Sequence, residues 1–202
     1  MKPIALAVAA FVAVHAHADY IAFDEATAGD ASDDRLAPSL TALRSGRNVI
    51  RGTFGQSSVP GQYDLDYITF AVPDGHQLSA FVLEDAFVGG AFSFVAIQAG
   101  PIVTIPADWA SIDTPLLGWA HFGTAAVGQD LLPVMGSSPG SVGFRGALPA
   151  GTYALWIMEF NDSEPYSYSF GLQVTAIPAP GALMLAGASM LEAACRRRRI
   201  RR

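Results

Sequence analysis

The sequence predicts an all-β protein, a single antiparallel β-sandwich, either a jelly roll or another small sandwich, with an N-terminal signal helix and a short C-terminal membrane helix. Three observations carry this expectation. Between the two ends no long stretch repeats apolar residues at i, i+3 and i+4, the period of an amphipathic helix. Short runs rich in β-branched and aromatic residues recur instead, separated by Gly, Pro, Asn and Asp. Two similar turn signals, Val72-Pro73-Asp74-Gly75 and Leu148-Pro149-Ala150-Gly151, stand at the edges of such runs. There proline presets φ and glycine accepts a positive φ.

Taken from the N-terminus, residues 1–18 have the layout of a secretory leader. Lys2 opens it, Ile4 to Val14 are apolar without a break, and Ala16-His17-Ala18 supplies the small-x-small cleavage pattern. Eleven apolar residues are too few to span a bilayer, which takes about 20. The mature chain is expected to begin at Asp19, so the exported domain is residues 19–176. The Sec translocon and signal peptidase are the partners this leader implies.

The predicted strands are 48–54, 67–72, 77–84, 91–98, 141–144, 152–160 and 166–175. In the last, Tyr166, Tyr168, Phe170, Leu172 and Val174 fall on one face, as in a strand with a buried side. Phe92, Phe94 and Ala96 do the same in the 91–98 run. The stretch 107–138 is irregular, with a helical turn possible in 113–119 and another in 128–135.

Residues 177–202 form a second functional terminus. Ile177-Pro178-Ala179-Pro180 leads into the apolar run from Gly181 to Ala194, then Cys195 and the cluster Arg196, Arg197, Arg198, Arg199, Arg201 and Arg202. Half of the twelve Lys and Arg residues lie in this cluster, which places it on the cytoplasmic side of a membrane. The fourteen-residue stretch from Gly181 to Ala194 makes a helix about 21 Å long, shorter than the roughly 30 Å hydrocarbon core. Val174 to Ile177 can lengthen it, and Glu192 sits beside the arginines near the interface. A basic tail on an exported chain speaks for a membrane and against nucleic acid.

Charge is concealed by these ends. The whole chain is −6, from 18 acidic and 12 basic residues. Without Glu192, Lys2 and the six terminal arginines, 17 acids and 5 bases remain, a net of −12. Such a body repels polyanions and attracts cations. The lone cysteine is in the tail, so a hydrophobic core or a metal, and no disulfide, must hold the domain together.

The tail resembles the PEP-CTERM sorting signal of Gram-negative bacteria, with alanine in place of the glutamate of Pro-Glu-Pro. That resemblance implies an exosortase-like membrane enzyme as partner, cleavage at Pro178, Ala179 and Pro180, and an association with exopolysaccharide. It also implies a route: inner-membrane anchoring, then periplasm, outer-membrane surface or medium. If the tail is kept, its helix is a permanent anchor.

The stretch Asp64-Leu65-Asp66-Tyr67-Ile68-Thr69-Phe70 through Gly75 resembles the D-x-D-x-[FY] strand start of bacterial pre-peptidase C-terminal domains, which are small β-sandwiches. The acidic segment Asp24 to Asp34 resembles the one that precedes that strand. In collagen-binding members the two bind calcium together. The resemblance implies Glu25, Asp30, Asp33, Asp34, Asp64 and Asp66 as calcium ligands. Hard carboxylate oxygens on a flexible loop suit that ion, while a solvated acidic loop is the plain alternative.

Catalytic signals are sparse. Gly136-Ser137-Ser138-Pro139-Gly140 fits G-x-S-x-G, but that pattern has meaning at a strand-to-helix turn, and here it lies in a Gly/Ser/Pro run. His76 and His121 have no nucleophile and orienter in obvious reach, and no histidine cluster suits zinc. Trp109 and Trp119, in the irregular stretch, are candidates for a ligand-binding surface. Trp156 has opposite parity to Tyr153 and Leu155, so it is core if its face is the buried one. The expected function is thus a non-enzymatic cell-surface or matrix protein. The alternatives are a calcium-stabilised adhesion module for protein or glycan and, behind it, a secreted hydrolase.

Overall fold

A computed structural model describes residues 19–56, 63–84, 93–106, 115–159 and 165–178. The leader, residues 179–202 with Ala179, Pro180 and the arginine cluster, and Trp109 lie outside the described residues. Among the described residues no helix is long and apolar enough to cross a membrane.

The architecture is all-β. The chain runs through β1 (Tyr20–Asp24), α1 (Glu25–Ala28), β2 (Ser39–Ala42), β3 (Gly46–Gln56), β4 (Tyr63–Asp64), β5 (Asp66–Leu83), β6 (Ser93–Ala99), β7 (Gly118–Phe122), α2 (Leu132–Gly136), β8 (Leu148–Met158) and β9 (Pro165–Ala176). All strands join one sheet in the order β1-β3-β9-β5-β8-β6-β7, with β2 added to β5 and β4 to β3. The sheet curls on itself through β5. Residues 66–72 of that strand pair with β8, and residues 76–83 pair with β9. β8 stays beside the strand to Leu78, and β9 joins it just after Pro73-Asp74-Gly75, where the register is irregular and Gly75 has φ +72°.

Several expectations are corrected by this arrangement. The segments 67–72 and 77–84 are halves of one bent strand. The two Pro/Gly signals are not separate hairpin turns: Val72 faces Gly151 and Gln77 faces Pro149, so both mark one corner of the sheet. Proline donates nothing to a ladder and is tolerated where pairing breaks. The sheet is mixed and not purely antiparallel, because β1 runs parallel to β3 and β2 parallel to β5. A hydrophobic pattern reports which face is buried and says nothing of strand direction. Each parallel pair is joined by the long connection such pairs need.

The expected strand at 141–144 is a loop. Its N–H groups bond to Leu116, Leu117 and Gly136 carbonyls, and Gly140, Gly143 and Gly146 with positive φ interrupt any ladder. The helical turn expected in 128–135 appears as α2, whereas 118–122 is strand β7.

Folding the sheet encloses Phe54, Phe70, Phe81, Leu83, Phe122, Phe170 and Leu172. Phe122 of β7 meets Phe170 of β9 at 5.4 Å and Phe54 of β3 at 6.2 Å, across the two halves of the sheet. A smaller cluster of Tyr67, Phe94, Ala96, Trp156 and Met158 lies on the other face, covered by Val103, Ile105 and Leu116 of the connection before β7. Both faces of β8 are therefore buried, which makes Trp156 core at 2% exposure.

Candidate metal centre

The acidic segment is built as a tight ledge beside the sheet. Asp24 closes β1 and caps α1, its Oδ1 accepting from Ala26 N at 3.1 Å. Its other oxygen accepts from Arg51 at 2.6 Å, and that bond holds Asp24 below the usual carboxylate range. Gly29, at φ +87°, ends the single helical turn. An antiparallel bridge between Ser32 and Tyr67, with Tyr67 N donating to Ser32 O at 3.0 Å, then ties the segment to the start of β5.

This bridge brings Glu25, Asp30 and Asp66 together, with carboxylate oxygens within 4.8 Å of one another. An ion with oxygen ligands at about 2.4 Å on either side spans that distance. Only oxygen is offered, which suits a hard cation and not zinc.

Glu25 is fixed first. Its Oε2 accepts from Thr53 N at 2.7 Å and Thr53 Oγ1 at 3.0 Å, and its Oε1 accepts from Ala31 N at 3.3 Å. The carboxyl group lies over Gly52 of β3. A Cβ there would fall 2.7 Å from the Tyr168 hydroxyl and closer still to Glu25. Glycine inside a strand marks a close approach of this kind.

Asp66 is the unusual member. It is wholly buried, and among the described residues neither carboxylate oxygen has a hydrogen-bond partner. The buried Tyr168 hydroxyl also lacks one. The Tyr168 hydroxyl lies near enough to Asp66 to lower its pKa as a donor and to be raised by it in turn, but the pair does not reach the geometry of an ordinary hydrogen bond. Burial drives Asp66 well above the carboxylate range, and negative Glu25, Asp64 and Asp30 add to it. Burial pushes Asp64 up to about 7, with Asp30, Glu25 and Asp33 contributing, and raises Glu25 despite its three donors. Buried polar atoms without partners are rare in native folds, and like charges at this spacing oppose each other's ionisation. A cation answers both conditions.

Four arginines of the domain are engaged by other groups, although Arg51 borders the same hollow as Glu25 and Asp30. Arg51 is held by Asp24, Arg47 by Asp19 and Glu84, Arg35 by the Val103 and Thr104 carbonyls, and Arg44 lies 3.8 Å over the Tyr20 ring.

Of the six expected ligands, three converge. Asp64 is half-buried beside them. Asp33 caps Leu65 N at 2.9 Å and Asp34 caps Leu36 N at 2.8 Å, so both carboxylates serve the loop backbone. Sequence reasoning missed Gly52, Thr53 and Tyr168. The glycine within a predicted strand is a signal for the first; a tyrosine on the buried face, whose hydroxyl needs a partner, is one for the last.

The remaining candidates lie apart. Trp119 is half-buried on β7, its Nε1 donating to Pro139 O at 3.1 Å and its ring stacked on Phe94 at 6.1 Å. His121 packs edge-on against it at 5.6 Å. Ser138 follows α2 instead of a strand. Its Oγ donates to Met135 O at 2.7 Å and accepts from Trp119 N at 2.9 Å. Pro178 is exposed just beyond β9.

Comparison of the chain with protein families, with curated proteins and with solved structures finds no match.

Proposed function

We propose that this chain is an exported, non-enzymatic surface or matrix protein whose β-sandwich is completed by one calcium ion. The observation that carries the metal reading is Asp66, buried with both oxygens unpartnered among the described residues and facing two further carboxylates. Glu25, Asp30 and Asp66 would hold the ion, with Tyr168 and Asp64 beside it. Such an ion ties the N-terminal segment to β3 and β5 in a domain that has no disulfide. The leader and the PEP-CTERM-like tail support export and sorting by an exosortase-like enzyme, and the strongly acidic body suits an extracellular role among neutral polymers.

The test is a thermal melt of the exported protein with calcium and with chelator. Calcium at a hundred times its Kd adds about 2.7 kcal/mol, equivalent to roughly 5–10 °C in a domain of this size. An unchanged midpoint refutes the metal reading.

A further inference from the structure

We infer that the cation at Glu25, Asp30 and Asp66 is also a recognition element, presenting open coordination positions to adjacent hydroxyl groups of a neutral glycan. This deepens the calcium reading above and rests on it.

The coordination inventory comes first. Calcium takes six to eight oxygens. Each oxygen of Glu25 already accepts a protein donor, leaving it room for one further contact. Asp66 and the Tyr168 hydroxyl close the buried side. Asp30 is exposed, so the positions left by the protein fall on the side that faces solvent.

That side is a cleft. Glu25 and Asp30 line an open hollow of about 580 Å³, together with Arg51, Gly52, Thr53 and Ser167. The volume lies in the range of small-molecule sites, about 300–1,000 Å³. Its chemistry fits a diol. Two neighbouring hydroxyls can give lone pairs to the ion while their O–H groups donate to the exposed Asp30 carboxylate. Arg51 has a half-exposed side chain and further N–H donors beyond its bond to Asp24, available to a ring or ring-substituent oxygen. The net charge of −12 on residues 19–177 disfavours a polyanion, which selects a neutral glycan over an acidic one.

The experiment is affinity electrophoresis of the full exported protein through gels containing mannan, galactan, dextran or alginate. We expect retardation by at least one of the three neutral polymers in calcium, lost with chelator and lost when the polymer is oxidised with periodate, which cleaves vicinal diols. Ser167→Trp fills the cleft from β9, across from Thr53, without altering a carboxylate. It is expected to keep the calcium-dependent rise in melting temperature and to weaken retardation at least about tenfold. Passage through all three neutral gels with the melting shift intact overturns this inference alone. Retardation indifferent to chelator, retained in full by Ser167→Trp or equally strong with alginate does the same. Loss of the melting shift in the unaltered protein overturns the metal reading as well.

Discussion

Asp66 begins the longest strand of the domain, sealed from solvent and surrounded by negative charge. In the ion-free fold its ionised form is strongly disfavoured. A carboxyl raised above its unfolded value favours the native state in acid and costs stability as pH climbs through the raised value. The ion-free protein therefore loses stability between about pH 4, where unfolded carboxyls titrate, and about 7, where Asp64 does. Calcium reverses that trend, since it needs the carboxylates. Asp66→Asn removes the buried charge and keeps the shape. In chelator at pH 7.5 its melting point should stand above that of the unaltered protein; in millimolar calcium it should stand below, with the response to the ion gone. A variant less stable in both conditions would mean that Asp66 serves a structural hydrogen bond instead.

At the scale of elements, the centre depends on three pieces meeting: the α1 ledge, the start of β5 and the Gly52–Tyr168 pair of β3 and β9. Gly52→Ala places a methyl where the Glu25 carboxyl sits. Overpacking of this kind costs about 1–3 kcal/mol, and here it also displaces a ligand. Both the melting point in chelator and the calcium affinity should fall, as followed by differential scanning calorimetry in the two conditions. The long strands were legible because their alternation is strong: β9 carries Tyr168, Phe170, Leu172 and Val174 inward as expected. The short strands were not. β1 holds five residues with little alternation, and β2 holds four whose alternation misleads, because its apolar Leu40 is the exposed one. β7 hides its inward Gly118, Ala120 and Phe122 between two outward residues, Trp119 and His121, that draw the eye to chemistry. The acidic segment was visible as a site, but its division of labour was not. Whether an aspartate reaches inward or caps its own loop depends on the Ser32–Tyr67 bridge, a tertiary contact no local pattern encodes.

For the whole molecule, the last strand is the organising fact. β9 lies between β3 and β5, pairing with β3 from Gly46↔Val174 to Gly55↔Pro165 and with β5 from His76↔Ala176 to Leu83↔Phe170. The fold cannot close until residues near 176 have emerged. Ile177 N then bonds to Gly75 O at 2.8 Å, the last backbone bond of the sheet's end among the described residues. Cleavage beyond that point leaves the sheet intact. Intact-mass analysis of protein recovered from the producing cells should therefore find an N-terminus at Asp19 and a C-terminus between Pro178 and Gly181. A chain that retains Arg202 would make the tail a permanent anchor.

The proposed ion links the acidic ledge, the buried Asp66 and the cleft. Calorimetric titration of chelator-treated exported protein with calcium, repeated in buffers of different ionisation enthalpy at pH 6.5, tests it most directly. Because burial raises Asp66 well above the carboxylate range and Asp64 up to about 7 in the ion-free fold, binding should release protons. The predicted result is one calcium per chain with a buffer-dependent heat that vanishes in Asp66→Asn. No binding, or binding that Asp66→Asn leaves unchanged, would mean that Glu25, Asp30 and Asp66 do not form a calcium centre.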